Sequence, residues 1–301
     1  MSHVEEPVIR AEAVTVRYGK QLAVEDAALT VPRGSVYALL GRNGAGKSSL
    51  VRCLTGLQKP ERGTITIFGD DVWRHRAKLM NRVGLVAEDS DAPPAMTVAQ
   101  IGEFCGRLHA RWDAGTVEGR LKRFAIKPEA RFGNLSKGQK KQVMLAMALA
   151  TSPDVLILDD PALGLDVVAR KSLFDEVIAE LADRGITVFI TTHELSAIES
   201  LADRVAIMRG GRVVLDEDME TLKQRFRRIR YASAPVALEA GNLVAASVRQ
   251  WGTGTEAVVS NYDEIAFERF RSTSGIGHAE TAPMTLEEIF IAVAGEEGAR
   301  T

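Results

Sequence analysis

A chain of 301 residues with 46% hydrophobic content is long enough for one large or two smaller domains around a real core. Its formal net charge of −2 excludes any global pull toward nucleic acid or an acidic membrane surface. The two cysteines, Cys53 and Cys105, are too far apart for a metal or redox motif and fit a reducing compartment.

The opening MSHVEEPVIR is polar and acidic, unlike a signal peptide. No apolar run approaches the ~20 residues of a membrane helix. A soluble protein is expected, with any membrane role coming through a partner. Residues 8–18 (VIRAEAVTVRY), 24–31 (VEDAALTV) and 63–68 (GTITIF) read as strands. Pro32-Arg33-Gly34 and Pro60-Glu61-Arg62-Gly63 are the turn signals between them, and an antiparallel sheet is expected. Tyr18 ends the first strand. It is a candidate to stack on a base and equally an ordinary edge-strand tyrosine.

Between these strands lies SVYALL (Ser35–Leu40), an apolar strand pattern, followed by GRNGAGKSS (Gly41–Ser49). Gly41, Gly46, Lys47 and Ser48 occupy the fixed places of the phosphate-binding pattern G-x-x-x-x-G-K-[ST]. Arg42, Asn43, Gly44, Ala45 and Ser49 complete the loop. In the helix that follows, Leu50, Leu54 and Leu57 recur at helical spacing, and Gly56 is a stop. Cys53 falls within it as a buried free thiol. Glycines let backbone N–H groups close round phosphates, and the helix N-terminus adds positive potential. Lys47 can reach the terminal phosphates of a nucleotide, and the Ser48 hydroxyl can hold Mg²⁺.

Residues 82–87 (RVGLVA) read as a buried strand ending at Glu88. From 89 to 150 the texture turns helical. Pro93-Pro94 breaks the chain, patterns follow at 97–111 and 115–125, and a long helix runs from about Gln139 to Ala150. About sixty residues is more than an ordinary connection needs, so this is a helical insertion. Val155–Leu158 is a short apolar run ending in Asp159-Asp160. It reads as a buried parallel strand with acids at its carboxyl end, where α/β sheets place ligands. A helix from about Val168 to Asp183 stops at Gly185, Ile186–Thr191 is the next strand, and His193 lies just beyond it. Strands at 204–208 and 212–215 complete a mostly parallel α/β core.

Beyond residue 220 the composition shifts. TLKQRFRRIR carries five cations in ten residues and reads as a solvated linker helix ahead of a nucleic-acid patch, given the near-neutral total. Strand-like pieces at 243–250 and 255–260 precede a last helix opened by Thr285 and Glu288, a capping box. The expected division is 1–224, with a helical part at about 89–150, and a small α+β appendage over 225–301.

One further run gives the nucleotide site a class. Leu135-Ser136-Lys137-Gly138-Gln139 resembles the LSGGQ signature of ATP-binding cassette (ABC) ATPases. Leu156–Asp160 looks like their acidic second motif, Gly164-Leu165-Asp166 like their D-loop and His193 like their switch histidine, while Tyr18 matches their aromatic A-loop. The resemblance covers about residues 5–220 and implies a P-loop NTPase fold with an antiparallel β subdomain and a helical insertion.

It also implies roles. ATP and Mg²⁺ are the expected cofactors, with Ser48, Glu88 and Asp159 toward the metal and Asp160 in the place of the catalytic base. His193 would contact the γ-phosphate. Ser136, Gly138 and Gln139, with Asp166, would complete the site of a second ATPase subunit, in a homo- or heterodimer. Three residues depart from the family pattern: Asp160 where Glu is usual, Glu88 where Gln is usual, and Lys137 for the first glycine of the signature pair. With the C-terminal MTLEEIFIAVAGEE, these departures look most like ATPase subunits of ABC-2-type transporters, a bacterial group dominated by exporters. That implies an integral-membrane permease as partner, attachment to the inner face of the membrane through it, and no nucleic acid. The alternatives are a soluble ABC ATPase, or an ATP-dependent switch, not coupled to transport.

Overall fold

The structure is a computed structural model that describes residues 6–89, 92–232, 238–272 and 278–295. Contacts divide the chain into two compact units, Met1–Glu194 with Met208–Val213, and Leu195–Ile207 with Val214–Thr301.

The first unit opens with β1 (Ile9–Tyr18), β2 (Gln21–Val31), β3 (Val36–Gly41) and α1 (Lys47–Leu54). It continues with β4 (Arg62–Ile67), β5 (Asp70–Asp71), α2 (Arg76–Met80) and β6 (Val83–Val86). The helical insertion holds α3 (Val98–Leu108), α4 (Ala114–Arg123) and α5 (Lys137–Ala150). Then come β7 (Val155–Asp159), α6 (Val167–Arg184) and β8 (Thr187–Thr192). The sheet expected to be antiparallel is so, in the order β2-β1-β4-β5.

Strands β6, β7, β8 and β3 stand side by side in parallel. Every residue of β3, β7 and β8 is buried, because helices cover parallel strands on both faces and only near-continuous apolar runs survive there. The register sets Asp159 opposite Thr191 and Leu40 opposite Thr192. The carboxyl ends of β3, β7 and β8 therefore meet at one edge, and the loops that leave them lie together.

The insertion has its own core, including Val98, Ile101, Leu121, Phe132, Val143 and Met147. Its helices start where the sequence supplies caps: Thr97 with Gln100 for α3, Asp113 for α4, Ser136 with Gln139 for α5. Arg120 on α4 reaches the buried Glu176 of α6 at 3.1 Å and also pairs with Glu180, while Arg123 pairs with Glu176.

Two strands, β9 (Arg204–Arg209) and β10 (Arg212–Asp218), are divided between the units, with Met208–Val213 in the first. The second unit takes in α7 (Leu195–Glu199), the rest of those two strands, α8 (Met219–Arg225) and β11 (Arg227–Tyr231). It ends with β12 (Ala245–Trp251), β13 (Gly254–Val259), α9 (Glu264–Arg271), β14 (Ala279–Pro283) and α10 (Leu286–Ala294). Its antiparallel sheet runs β12-β13-β11-β14. Ile229, Tyr231, Ala257 and Val259 pack with Phe267 and Phe270 of α9.

The cation-rich run is not one helix. Only Met219–Arg225 is helical, whereas Arg227–Tyr231 is an inner strand. Ile229 and Tyr231 fill the core, and Arg228 and Arg230 on the other face meet the buried Glu256 at 3.7 and 2.8 Å. Glu199 of α7 holds Lys223 at 2.6 Å and accepts the Leu286 N–H at 3.0 Å, tying α8 and α10 to α7.

Candidate nucleotide site

Helix α1 begins at Gly46, whose φ is 107°, and no side chain caps its first N–H groups. A Cβ there would lie 2.4 Å from the Ala23 carbonyl oxygen and 2.8 Å from Met208 Cε, so both the backbone angle and the space demand glycine. The loop's uncapped N–H groups and the helix dipole create an anion site.

Above the loop lies a pocket of about 490 Å³, within the usual range of ligand sites. It is lined by Asn43, Gly44, Gly46, Lys47, Ser48 and Ser49 of the loop and the start of α1, by Tyr18, Gln21 and Ala23 of β1 and β2, and by Glu88 and Asp160. Gly41 is buried in the strand end beneath, with Ala45, and Arg42 begins the loop. The Tyr18 hydroxyl donates to Gln58 Oε1 at 2.5 Å, and the residue is 40% exposed.

Lys47 is buried, and its ammonium donates to the Gly41 carbonyl at 2.7 Å and the Arg42 carbonyl at 3.3 Å. Burial lowers its pKa below the ordinary lysine value, against the upward pull of Asp160, Asp159 and Glu88. The Ser48 hydroxyl lies 3.3 Å from Asp159 Oδ1 and 3.5 Å from Glu88 Oε2. Asp159 Oδ1 also accepts from the Thr191 hydroxyl at 2.6 Å. A hydroxyl and two carboxylates are hard oxygen donors, and two carboxylates beside a phosphate site suit Mg²⁺.

Asp160 is buried at a φ of 43°. Its N–H donates to Thr191 Oγ1 at 3.0 Å, and its Oδ2 stands 2.8 Å from His193 Nδ1. Its Oδ1 is buried without a hydrogen-bond partner among the described residues. A buried acceptor left without a partner is costly, and Asp160 is also one of the residues that line the pocket.

The remaining predicted residues form a second group outside the pocket lining. Ser136 is exposed at the start of α5, with Gly138 and Gln139 half-buried in its first turn. Ser136 Oγ accepts the Gln139 N–H at 3.2 Å, and Gln139 Oε1 accepts the Ser136 N–H at 3.0 Å. Asp166 caps α6 by accepting the Ala169 N–H at 2.8 Å. The two runs adjoin. A Cβ on Gly138 would meet Ala169 Cβ at 3.2 Å, and one on Gly164 would meet Lys137 Nζ at 2.7 Å.

Motif reading missed Lys141. It is buried on α5 and donates to the Ala87 carbonyl at 2.7 Å and to the Glu88 carbonyl, fixing the backbone that carries Glu88. The signal was present as a cation between Lys140 and the apolar run of α5, but its partner lies 53 residues away.

Fold and loop together define a P-loop nucleoside triphosphatase. A family model described as ABC transporter matches residues 24–163. The daunorubicin resistance ATP-binding protein DrrA3 of Streptomyces coeruleorubidus is 32% identical over 307 residues, spanning 96% of each chain. The bacitracin transport ATP-binding protein BcrA of Bacillus licheniformis is 31% identical over 223 residues, 73% of each. Among solved structures, an ATP-binding subunit of an ABC transporter aligns with a TM-score of 0.66 at 26% identity, over 72% of this chain and 92% of that one. The chain belongs to the ABC transporter family, as an ATP-binding subunit with ATPase activity.

Proposed function

We propose that this subunit binds ATP with Mg²⁺, pairs with a second ATPase subunit, and drives a separate membrane permease of the ABC-2 type in export. The observation that carries the reading is the separation of two half-sites on one chain. Lys47, Ser48, Glu88 and Asp160 line the pocket, whereas Ser136, Gly138 and Asp166 do not. A second subunit, presenting its own helix N-terminus, completes the site. Export is supported by the relatives, named for bacitracin transport and daunorubicin resistance, the second of which aligns over 96% of this chain. Among the described residues no helix is long and apolar enough to cross a membrane, so the membrane pathway falls to the permease, which holds this subunit at the inner face.

On nucleotide binding, Lys47 exchanges its carbonyl partners for phosphate oxygens, and the α1 N–H groups close round the phosphates. Ser48, Asp159 and Glu88 would hold Mg²⁺, which when bound neutralises phosphate charge. Asp160 Oδ1 takes the proton of the attacking water, while His193 holds Oδ2 and faces the terminal phosphate. Tyr18 covers the base.

The test is co-purification of the tagged chain from detergent-solubilised membranes. An integral membrane protein should be recovered, and its presence should raise ATP turnover. Recovery of ribosomes instead, with no membrane protein, would refute the transport reading.

A further inference from the structure

His193 touches Asp160, and the residue after it is anchored elsewhere. Glu194 accepts from Arg170 at 2.8 Å. Arg170 lies in the first turn of α6 and donates its own N–H to the Asp166 carbonyl at 3.0 Å. The Glu194 N–H is held by Thr192 Oγ1 at 3.0 Å. Arg170 and Glu194 keep side-chain exposures of 30% and 22%. Arg170 Nε is nevertheless buried without a hydrogen-bond partner among the described residues. An orphaned guanidinium nitrogen costs free energy, so the Glu194 bond is what keeps the arginine in this place.

Resting on the proposed role of His193, we infer that Arg170 and Glu194 are positioning residues for it, linking the Asp166 cap of α6 to the histidine at the end of β8. The chain of contacts is short: Asp166 caps α6, Arg170 follows one turn on, Glu194 receives its guanidinium, and His193 is the adjacent residue. Beyond the last residue of β8, Thr192, no strand pairing fixes the backbone φ and ψ. The ion pair removes that freedom on the carboxyl side of His193, and Thr192 removes it through the backbone. The imidazole is thereby presented to Asp160 Oδ2. A contact made by a second subunit at Asp166 or at the exposed Val167 and Val168, 75% and 80% accessible, would shift the first turn of α6 and, through Arg170, the histidine. Partner engagement and hydrolysis would then be coupled through one ion pair.

The experiment compares Glu194→Gln, Arg170→Gln and the charge-exchanged double variant Arg170→Glu with Glu194→Arg in the full chain. Steady-state ATPase activity and ATP binding by fluorescent-analogue titration are measured for each. Each single substitution should lower kcat by about tenfold while leaving the ATP dissociation constant within about twofold. The exchanged pair should recover most of the loss. A merely structural pair would lower melting temperature and ATP affinity together, and that pattern overturns the inference. So does wild-type kcat in either single variant, or an exchanged pair as slow as the singles. His193→Ala is measured in parallel. Wild-type turnover in that variant removes the role of His193 itself, whereas slow turnover there with normal Glu194→Gln overturns only the positioning role.

Discussion

Replacing Asp160 by asparagine isolates one oxygen. The residue sits at a φ of 43°, a conformation asparagine tolerates about as well as aspartate, so the backbone incurs little new strain. The amide fills the same buried volume and can still meet His193 Nδ1, now 2.8 Å from Oδ2. What disappears is the basicity of the open Oδ1. Loss of a general base lowers a rate by about 10²–10⁴, or about 2.7–5.4 kcal/mol in the barrier. ATP binding should persist, because Lys47 and the α1 N-terminus are untouched, and light scattering with ATP and Mg²⁺ should show mass moving from monomer to dimer. Asp160→Glu is the converse. It restores the family's longer side chain, adding about 1.5 Å of reach, and turnover should hold or rise despite a backbone angle less suited to glutamate. Full ATPase activity in Asp160→Asn would refute the reasoning and leave Asp160 as a strand terminus.

Lys47→Ala should abolish tight ATP binding in a folded protein; near-normal affinity, read by fluorescent-analogue titration, would remove the loop as the phosphate site. Tyr18→Ala should cost on the order of 1 kcal/mol of nucleotide affinity, the low end for base stacking, because the ring is 40% exposed; unchanged affinity would leave Tyr18 as the end of β1, which is an inner strand of its sheet rather than the edge strand that was the other expectation. Burial raises the Cys53 pKa to about 11, so at pH 8 only about one molecule in a thousand is thiolate. Cys53 should resist a thiol reagent there and react in urea, and rapid labelling of the folded chain would contradict its burial. Truncation after Lys223 should preserve ATP binding, since every residue of the pocket belongs to the first unit. It should also lower the melting temperature, as Glu199 loses the Leu286 N–H. A folded truncation that fails to bind ATP would refute the division.

Much of the first unit was legible because its signals are local. A phosphate loop, an apolar run ending in acids, and a serine followed three residues later by glutamine each specify a turn or a cap within one short window. The parallel strands declared themselves because burial on both faces leaves only apolar residues. The second unit was less readable. Arg227–Tyr231 is a strand whose cations are tolerated only because Glu256, on a strand distant in sequence, neutralises them. Nothing in RFRRIR announces that partner. Strand β14, AETAP, shows no clean alternation and is mostly exposed, so pairing with β11 alone makes it a strand. Helix α9 did carry a signal, with Asp263 as cap and Phe267 and Phe270 three apart. The buried Lys141 and the Arg170–Glu194 pair join residues 53 and 24 apart, and such contacts belong to the tertiary fold rather than to any window.

The grip of Glu199 on the first N–H of α10 bears on how this chain can be instrumented. An insertion between Pro283 and Leu286 would break the Thr285 capping box and withdraw the Leu286 N–H, pulling on α7 through the same carboxylate. The β12–β13 hairpin is the opposite case. Gly252 turns at a φ of 58°, and a Cβ built there meets nothing within 4 Å. Its neighbours Gln250 and Trp251 are also exposed. A fluorophore or spin label attached at Gln250 would leave that turn its glycine and report on the accessory sheet without touching the carboxylate that ties α8 and α10 to α7.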